Sequence, residues 1–190
     1  MTRESDQPPT VPPPAGRERV ASRVLVNTGD GKGKTSAAMG IAMRAVARGW
    51  RVAVVQFVKD GRWKTGEEAL GRRLGVDWWS IGDGFTWSSR DMEQTEAIAR
   101  EAWRSASELI RAGEHELVVL DEITYPLNWE WIDADEVIET IRTRPPHVNV
   151  VATGRDASTG LCEIADTVTE MIAIKHAFDA GVAAMRGIEF

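Results

Sequence analysis

The stretch "VNTGDGKGKTSAAMG", Val26 to Gly40, sets three glycines and two lysines between an apolar run and an alanine-rich one. Without a β-carbon at Gly29, Gly31 and Gly33, successive backbone N–H groups can turn inward around an anion. The residues before the turn read as the end of a buried strand. Those after it, "KTSAAMGIAMRAVARG", place Ala38, Ile41, Ala42, Ala45 and Val46 on one side of a helix that stops at Gly49. Strand, glycine turn and helix N-terminus in that order make a binding site for a nucleoside triphosphate. The helix end contributes partial positive charge, Lys34 a mobile ammonium, and Thr35 a hydroxyl placed to ligate Mg²⁺. Gly29, Asp30, Gly31, Lys32, Gly33, Lys34, Thr35 and Ser36 are the expected nucleotide contacts.

The loop departs from the usual spacing G-x-x-x-x-G-K-[ST]. The position five before Gly33 is Thr28, and the nearest glycine is Gly29, so the loop is one residue short and carries a second ammonium, Lys32. The phosphates therefore need not sit as they do in ordinary ATPases. A nucleotide site also needs an acidic group at the end of a neighbouring buried strand, within reach of the metal. "ELVVLDEITY" supplies Asp121 and Glu122 after "LVVL", and spacing alone does not decide between them.

From Val24 onward short apolar runs alternate with longer helical patterns, which is the pattern of an α/β protein with a mostly parallel central sheet flanked by helices. Strands are expected at Val24 to Asn27, Arg51 to Val58, Val76 to Ile81, Glu116 to Leu120, Val148 to Thr153 and Thr167 to Ile174. Continuously apolar runs such as "VAVVQFV" and "LVVL" suit parallel strands covered on both faces. A crossover helix is expected from Asp91 to Ala112. Another begins at Asp133 as N-cap, carries Val137, Ile138 and Ile141 toward the sheet, and is closed by Pro145-Pro146.

Composition narrows the function classes. The chain has 190 residues and 43% hydrophobic content, enough for one core. Five of the eight prolines fall within the first 14 residues, so residues 1–20 are expected to form a flexible arm and residues 21–190 a single domain. With 23 basic and 29 acidic residues the formal charge is -6, which disfavours nucleic acid and anionic membranes as partners. No apolar run is long enough to cross a membrane and the N-terminus lacks a secretory apolar segment. Cys162 is the only cysteine, which points to a reducing cytoplasm and leaves no thiol pair for a metal. His115, His147 and His176 show no metal-ligand spacing, and no G-x-S-x-G nucleophile turn is present.

The aromatics in "VDWWSIGDGFTWSSRDME" have two origins. Trp78 and Trp79 lie in an expected strand, where at least one belongs to the core. Phe85 and Trp87 alternate within a Gly/Ser/Thr-rich loop with no core to fill, where they can contact either a large flat ligand or a partner chain.

Taken together, "TGDGKGKTSAAMG", "VAVVQFVK", "GDGFTW", "VVLDEITY", "ATGRDAS" and "IKHAFDAGVAAMRGIEF" resemble the ATP:corrinoid adenosyltransferases that act on cobalamin and on cobyrinic acid a,c-diamide. The resemblance covers nearly everything but the proline-rich arm. It implies a P-loop fold of the RecA-like type, a homodimer, and a reaction in which ATP gives up its 5'-deoxyadenosyl group. A Co(I) corrinoid then attacks the ribose C5' and triphosphate leaves. By the same resemblance Lys34, with the loop N–H groups, stabilises the leaving triphosphate. Thr35 and Glu122 hold Mg²⁺ with Asp121 as the alternative, Arg44 contacts the nucleotide, and Phe85 and Trp87 displace the lower axial ligand of Co(II) so that a reductant can deliver an electron. Two other functions remain open to the residues alone: a small P-loop ATPase or kinase cleaving at the γ-phosphate, and a corrinoid carrier that uses ATP as an allosteric ligand.

Overall fold

A computed structural model describes residues 16, 18–58, 65–82 and 92–189. Six strands form one sheet: β1 (Val24–Thr28), β2 (Val52–Gln56), β3 (Asp77–Ser80), β4 (Leu117–Asp121), β5 (Asn149–Thr153) and β6 (Thr167–Glu170). Their order across the sheet is β3-β2-β4-β5-β1-β6, and every pairing is parallel. The helices are α1 (Lys34–Val46), α2 (Gly66–Arg73), α3 (Met92–Ala112), α4 (Thr124–Asn128), α5 (Ala134–Arg142) and α6 (Thr159–Glu163). This is the α/β, RecA-like P-loop architecture that the sequence predicts. Among the described residues no helix is long and apolar enough to cross a membrane.

The pleat divides the core into two layers. Val52, Val54, Leu117, Val119 and Val151 face Ala38, Met39, Ala42 and Ala45 of α1. Their neighbours Ala53, Val55, Val118, Leu120, Val150 and Ala152 face Ala99, Ala102, Trp103, Ala106 and Ile110 of α3 and Val137 and Ile141 of α5. Strands β2 and β4 are therefore buried along their whole length, as their unbroken apolar runs require. Trp78 is buried on the α1 side, where the absence of a β-carbon at Gly71 of α2 makes room for its ring. Trp79 is half-buried on the other face.

Helix α5 begins at Asp133 as expected, whose carboxylate accepts from the N–H groups of Asp135 and Glu136 at 2.9 and 3.4 Å. Two expectations need correction. Helices α2 and α4 were not predicted: α2 is short and mostly polar, and α4 follows directly on the acidic pair that ends β4. The last strand ends at Glu170, not Ile174. After Met171 N–H donates to the Thr28 carbonyl at 2.8 Å, the Met171 carbonyl accepts from Gly31 N–H at 2.6 Å, so the chain leaves the ladder to cross the glycine loop. Beyond it, "KHAFDAG" forms a 3₁₀ turn over Ala177–Ala180, capped by the His176 side chain and closed by Gly181.

Candidate active site

The pairing registers align the carboxyl-terminal residues of five strands into one transverse row. Asn27 of β1 lies beside Thr153 of β5, Gln56 of β2 beside both Asp121 of β4 and Ser80 of β3, and the β4–β5 register carries Asp121 to Thr153. Alternation along each strand points the row toward α1. Asn27, Thr153, Asp121 and Gln56 are all buried, so the apolar sheet ends in a polar layer beneath the glycine loop. Buried polar groups need partners, and these find one another. Asp121 Oδ1 accepts from the hydroxyls of Thr35 and Thr153, both at 2.8 Å, and Oδ2 accepts from Gln56 Nε2 at 2.9 Å. Thr153 Oγ1 in turn accepts from the backbone N–H of Glu122 at 2.9 Å.

Above this layer, α1 starts without a side-chain cap, because its N-cap is Gly33, and its first turn contains no acidic residue. By contrast α2 and α5 are capped by Thr65 and Asp133 and carry acids in their first turns. The N-terminus of α1 thus presents N–H groups and positive dipole to an anion with no internal competitor from a side chain. Lys34 curls over the loop, its Nζ donating to the carbonyls of Gly29 and Gly31 at 2.6 and 2.8 Å. Burial holds its ammonium below the ordinary lysine value; the Arg155 cation adds to that, while Asp30 and Glu122 pull the other way.

The glycines meet protein as well as ligand space. A β-carbon on Gly29 would lie 2.5 Å from the Met171 carbonyl oxygen, and one on Gly31 would lie 2.8 Å from Ile172 backbone. Glu122 adopts a left-handed backbone, φ 65°, at the end of β4. The turn brings its half-buried carboxylate near Lys34 and near Tyr125, whose phenol is raised above its ordinary value by burial first and by that carboxylate next.

Thr35, Asp121 and Glu122 offer hard oxygen donors, which is the chemistry Mg²⁺ takes alongside phosphate oxygens and water. Among the described residues no cluster of three or more His, Cys, Asp or Glu forms a metal cage without a ligand's help. Thr35, Asp121 and Glu122 are donors of the kind that fit Mg²⁺ beside phosphate oxygens.

Residues 21–190 match the model of the family described as ATP:corrinoid adenosyltransferase BtuR/CobO/CobP. The chain belongs to this family. Proteins named corrinoid adenosyltransferase in Pseudomonas aeruginosa, Sinorhizobium sp. and Escherichia coli (strain K12) are 46%, 44% and 42% identical to it. Each match spans 88% of this chain and covers 83%, 79% and 85% of those proteins respectively. The protein is accordingly a transferase of the corrinoid adenosyltransferase kind.

In this adenosyltransferase Lys34, Thr35, Asp121 and Glu122 converge at the carboxyl end of the sheet, with Lys32, Asp30 and Ser36 exposed around the loop. Arg44 sits in the last turn of α1 and is exposed, about 15 Å along the helix from Lys34 by the rise per residue. Phe85 and Trp87 lie outside the described residues. Sequence reasoning missed Gln56, Thr153 and Arg155. The first two end apolar strands, a signal legible one strand at a time, but only the register shows that they meet Asp121. Arg155 follows β5 and reaches Asp30 across 3.6 Å at the mouth of the loop.

Proposed function

We propose that this adenosyltransferase moves the 5'-deoxyadenosyl group of ATP to the Co(I) centre of a corrinoid, cobyrinic acid a,c-diamide or cobalamin, in adenosylcobalamin biosynthesis or salvage. The supporting observation is the uncapped N-terminus of α1 with Lys34 folded over it and Thr35 tied to buried Asp121. That arrangement suits a triphosphate whose charge grows during the reaction. In the step itself the cobalt electron pair attacks C5', a cobalt–carbon bond forms, and the C5'–oxygen bond breaks with its electrons leaving on triphosphate. Cobalt passes from Co(I) to Co(III), so no protein nucleophile is required. The residues' task is to hold C5' in line and to stabilise the leaving oxyanions, which falls to Lys34, Lys32 and the loop N–H groups.

Thr35 and Glu122 would hold Mg²⁺, with Asp121 as the alternative. The hydrogen bonds that Asp121 accepts from Thr35, Thr153 and Gln56 favour its acting as the group that orients Thr35. When bound, the ion neutralises charge on the phosphate oxygens. Phe85 and Trp87 would displace the lower axial ligand of a Co(II) corrinoid and so ease its reduction by an external reductant. Arg44 would contact the nucleotide, consistent with action as a homodimer because it stands apart from the loop of its own chain. A cytoplasmic setting fits the single cysteine.

The deciding experiment is an anaerobic incubation of the protein with Mg²⁺, ATP and chemically reduced Co(I) corrinoid, with product spectra and phosphate analysis. A light-sensitive alkylcobalt product with stoichiometric triphosphate is expected. ADP without a cobalt–carbon bond would return the protein to the ATPases and kinases.

A further inference from the structure

The polar row does not stop at the nucleotide site. Gln56 is buried, and its side-chain amide has only one hydrogen-bonding orientation. Its Nε2 donates to Asp121 Oδ2 at 2.9 Å, and its Oε1 accepts from Trp78 Nε1 at 3.1 Å and from Ser80 Oγ at 3.2 Å. An indole N–H only donates, so a flipped amide would set its own NH₂ against the Trp78 N–H. The backbone of Gln56 is tied the same way, its carbonyl accepting from Ile81 N–H at 3.0 Å. One residue thus joins Thr35 and Asp121, beneath the triphosphate loop, to the last residues of β3.

We propose that Gln56 is a positioning residue that fixes the Asp121 carboxylate under Thr35 and relays occupancy of the nucleotide site to Trp78 and Ser80 at the end of β3. The proposal rests on the proposed function only in assigning the glycine loop to a nucleoside triphosphate; the relay itself needs nothing but the hydrogen bonds. Drawing Thr35 toward an incoming Mg²⁺-triphosphate alters the load on Asp121 Oδ1. Because the carboxylate is rigid, Oδ2 and the amide it holds respond together. The indole of Trp78 and the hydroxyl of Ser80 are the first groups on the far side. A Glu68 carboxylate oxygen lies 3.4 Å from Ser80 Oγ as the competing acceptor for its one proton, and Arg72 donates to the Trp78 carbonyl at 2.7 Å, so α2 is anchored to the same strand end. Coupling of this kind is carried by contiguous bonded groups, and its size is measurable at the reporter.

Trp78 supplies that reporter. The full-length protein is labelled with 5-fluorotryptophan, the Trp78 resonance is assigned from Trp78→Phe among the eight tryptophans, and Mg²⁺ with ATP is titrated while calorimetry follows binding in the same samples. The Trp78 resonance is expected to move with nucleotide saturation in the wild type. In Gln56→Met, which keeps the length of the side chain and removes both polar ends, the movement is expected to vanish and nucleotide affinity to fall about tenfold. Ser80→Ala removes one donor at the far end and is expected to shift the resting Trp78 resonance while leaving nucleotide affinity within about threefold. A wild-type resonance that stays still at saturation overturns the relay without recourse to any Gln56 variant, as does equal movement in Gln56→Met. The two proposals part cleanly. Formation of ADP with the Trp78 response intact leaves the relay standing and sinks the adenosyl-transfer reading. Adenosylated corrinoid formed with a silent Trp78 does the reverse.

Discussion

Replacement of Lys34 by alanine tests the leaving-group role at its centre. The ammonium sits 2.6 and 2.8 Å from two loop carbonyls, which places it over the anion site. A charge held in advance where negative charge develops contributes about 3–4 kcal/mol to the barrier, or roughly a hundred- to a thousandfold in rate. Neither neighbouring cation replaces it. Lys32 is exposed, and Arg155 is 51% exposed and faces Asp30 across 3.6 Å, so both reach the site from solvent and are screened. Lys34→Ala should therefore lower kcat by about two to three orders of magnitude. The fold should survive, because position 34 opens α1 and alanine is a good helix former. The assay is single-turnover alkylation of prereduced Co(I) corrinoid under anaerobic conditions, read by absorbance and by triphosphate release, with thermal unfolding as the control. A kcat within about tenfold of wild type, in a protein that still binds ATP, would refute the reasoning.

Lys34 also sets a pH dependence. Its pKa is lowered by burial and by Arg155, whereas a bound triphosphate favours the charged form, so binding takes up a proton as pH passes through that lowered value. Nucleotide affinity should fall with rising pH in the alkaline range below the ordinary lysine value of 10.5 and be level at lower pH; calorimetry in buffers of differing ionisation enthalpy reads the proton directly, and its absence throughout would contradict the placement of Lys34. Gly154→Ala should destabilise the fold by about 3 kcal/mol, since a β-carbon there lies 2.0 Å from Thr124 Oγ1 on a backbone with φ 140°; urea unfolding measures it, and a loss below about 1 kcal/mol would show that the end of β5 yields more easily than its packing indicates. Phe85→Ala combined with Trp87→Ala should impair the reaction from Co(II) with a reductant more than the reaction from prereduced Co(I), and equal losses would point to general corrinoid binding.

Much of this architecture was legible in the chain. The glycine loop announced strand, turn and helix together, and unbroken apolar runs such as "LVVL" marked strands covered on both sides. Helix α2 escaped because Gly66, Glu67, Glu68, Gly71, Arg72 and Arg73 leave it almost no apolar face; what holds it is the Thr65 cap and the seat for Trp78. The acidic pair was legible as a pair, yet the distinct surroundings of its members were not. Asp121 is fully buried in a net of donors while Glu122 turns out on a left-handed backbone, and that difference depends on which strand lies between β4 and β1. For the same reason Gln56 carried no mark of its function: its environment is made by two other strands, β3 and β4, and a register cannot be read from one strand at a time.

The meeting of Gly31 with Met171 has a consequence for how the sequence can drift. Both partners in that bond are main chain, so it does not itself fix the identity of residue 171, whose side chain lies against Gly33. The burden falls instead on positions 29 and 31, where any side chain would strike the passing backbone. Variation around the loop should therefore be lopsided, more permissive on the strand that crosses it than within it. The short stretch after β6 acts as the template against which the shape of the loop is kept.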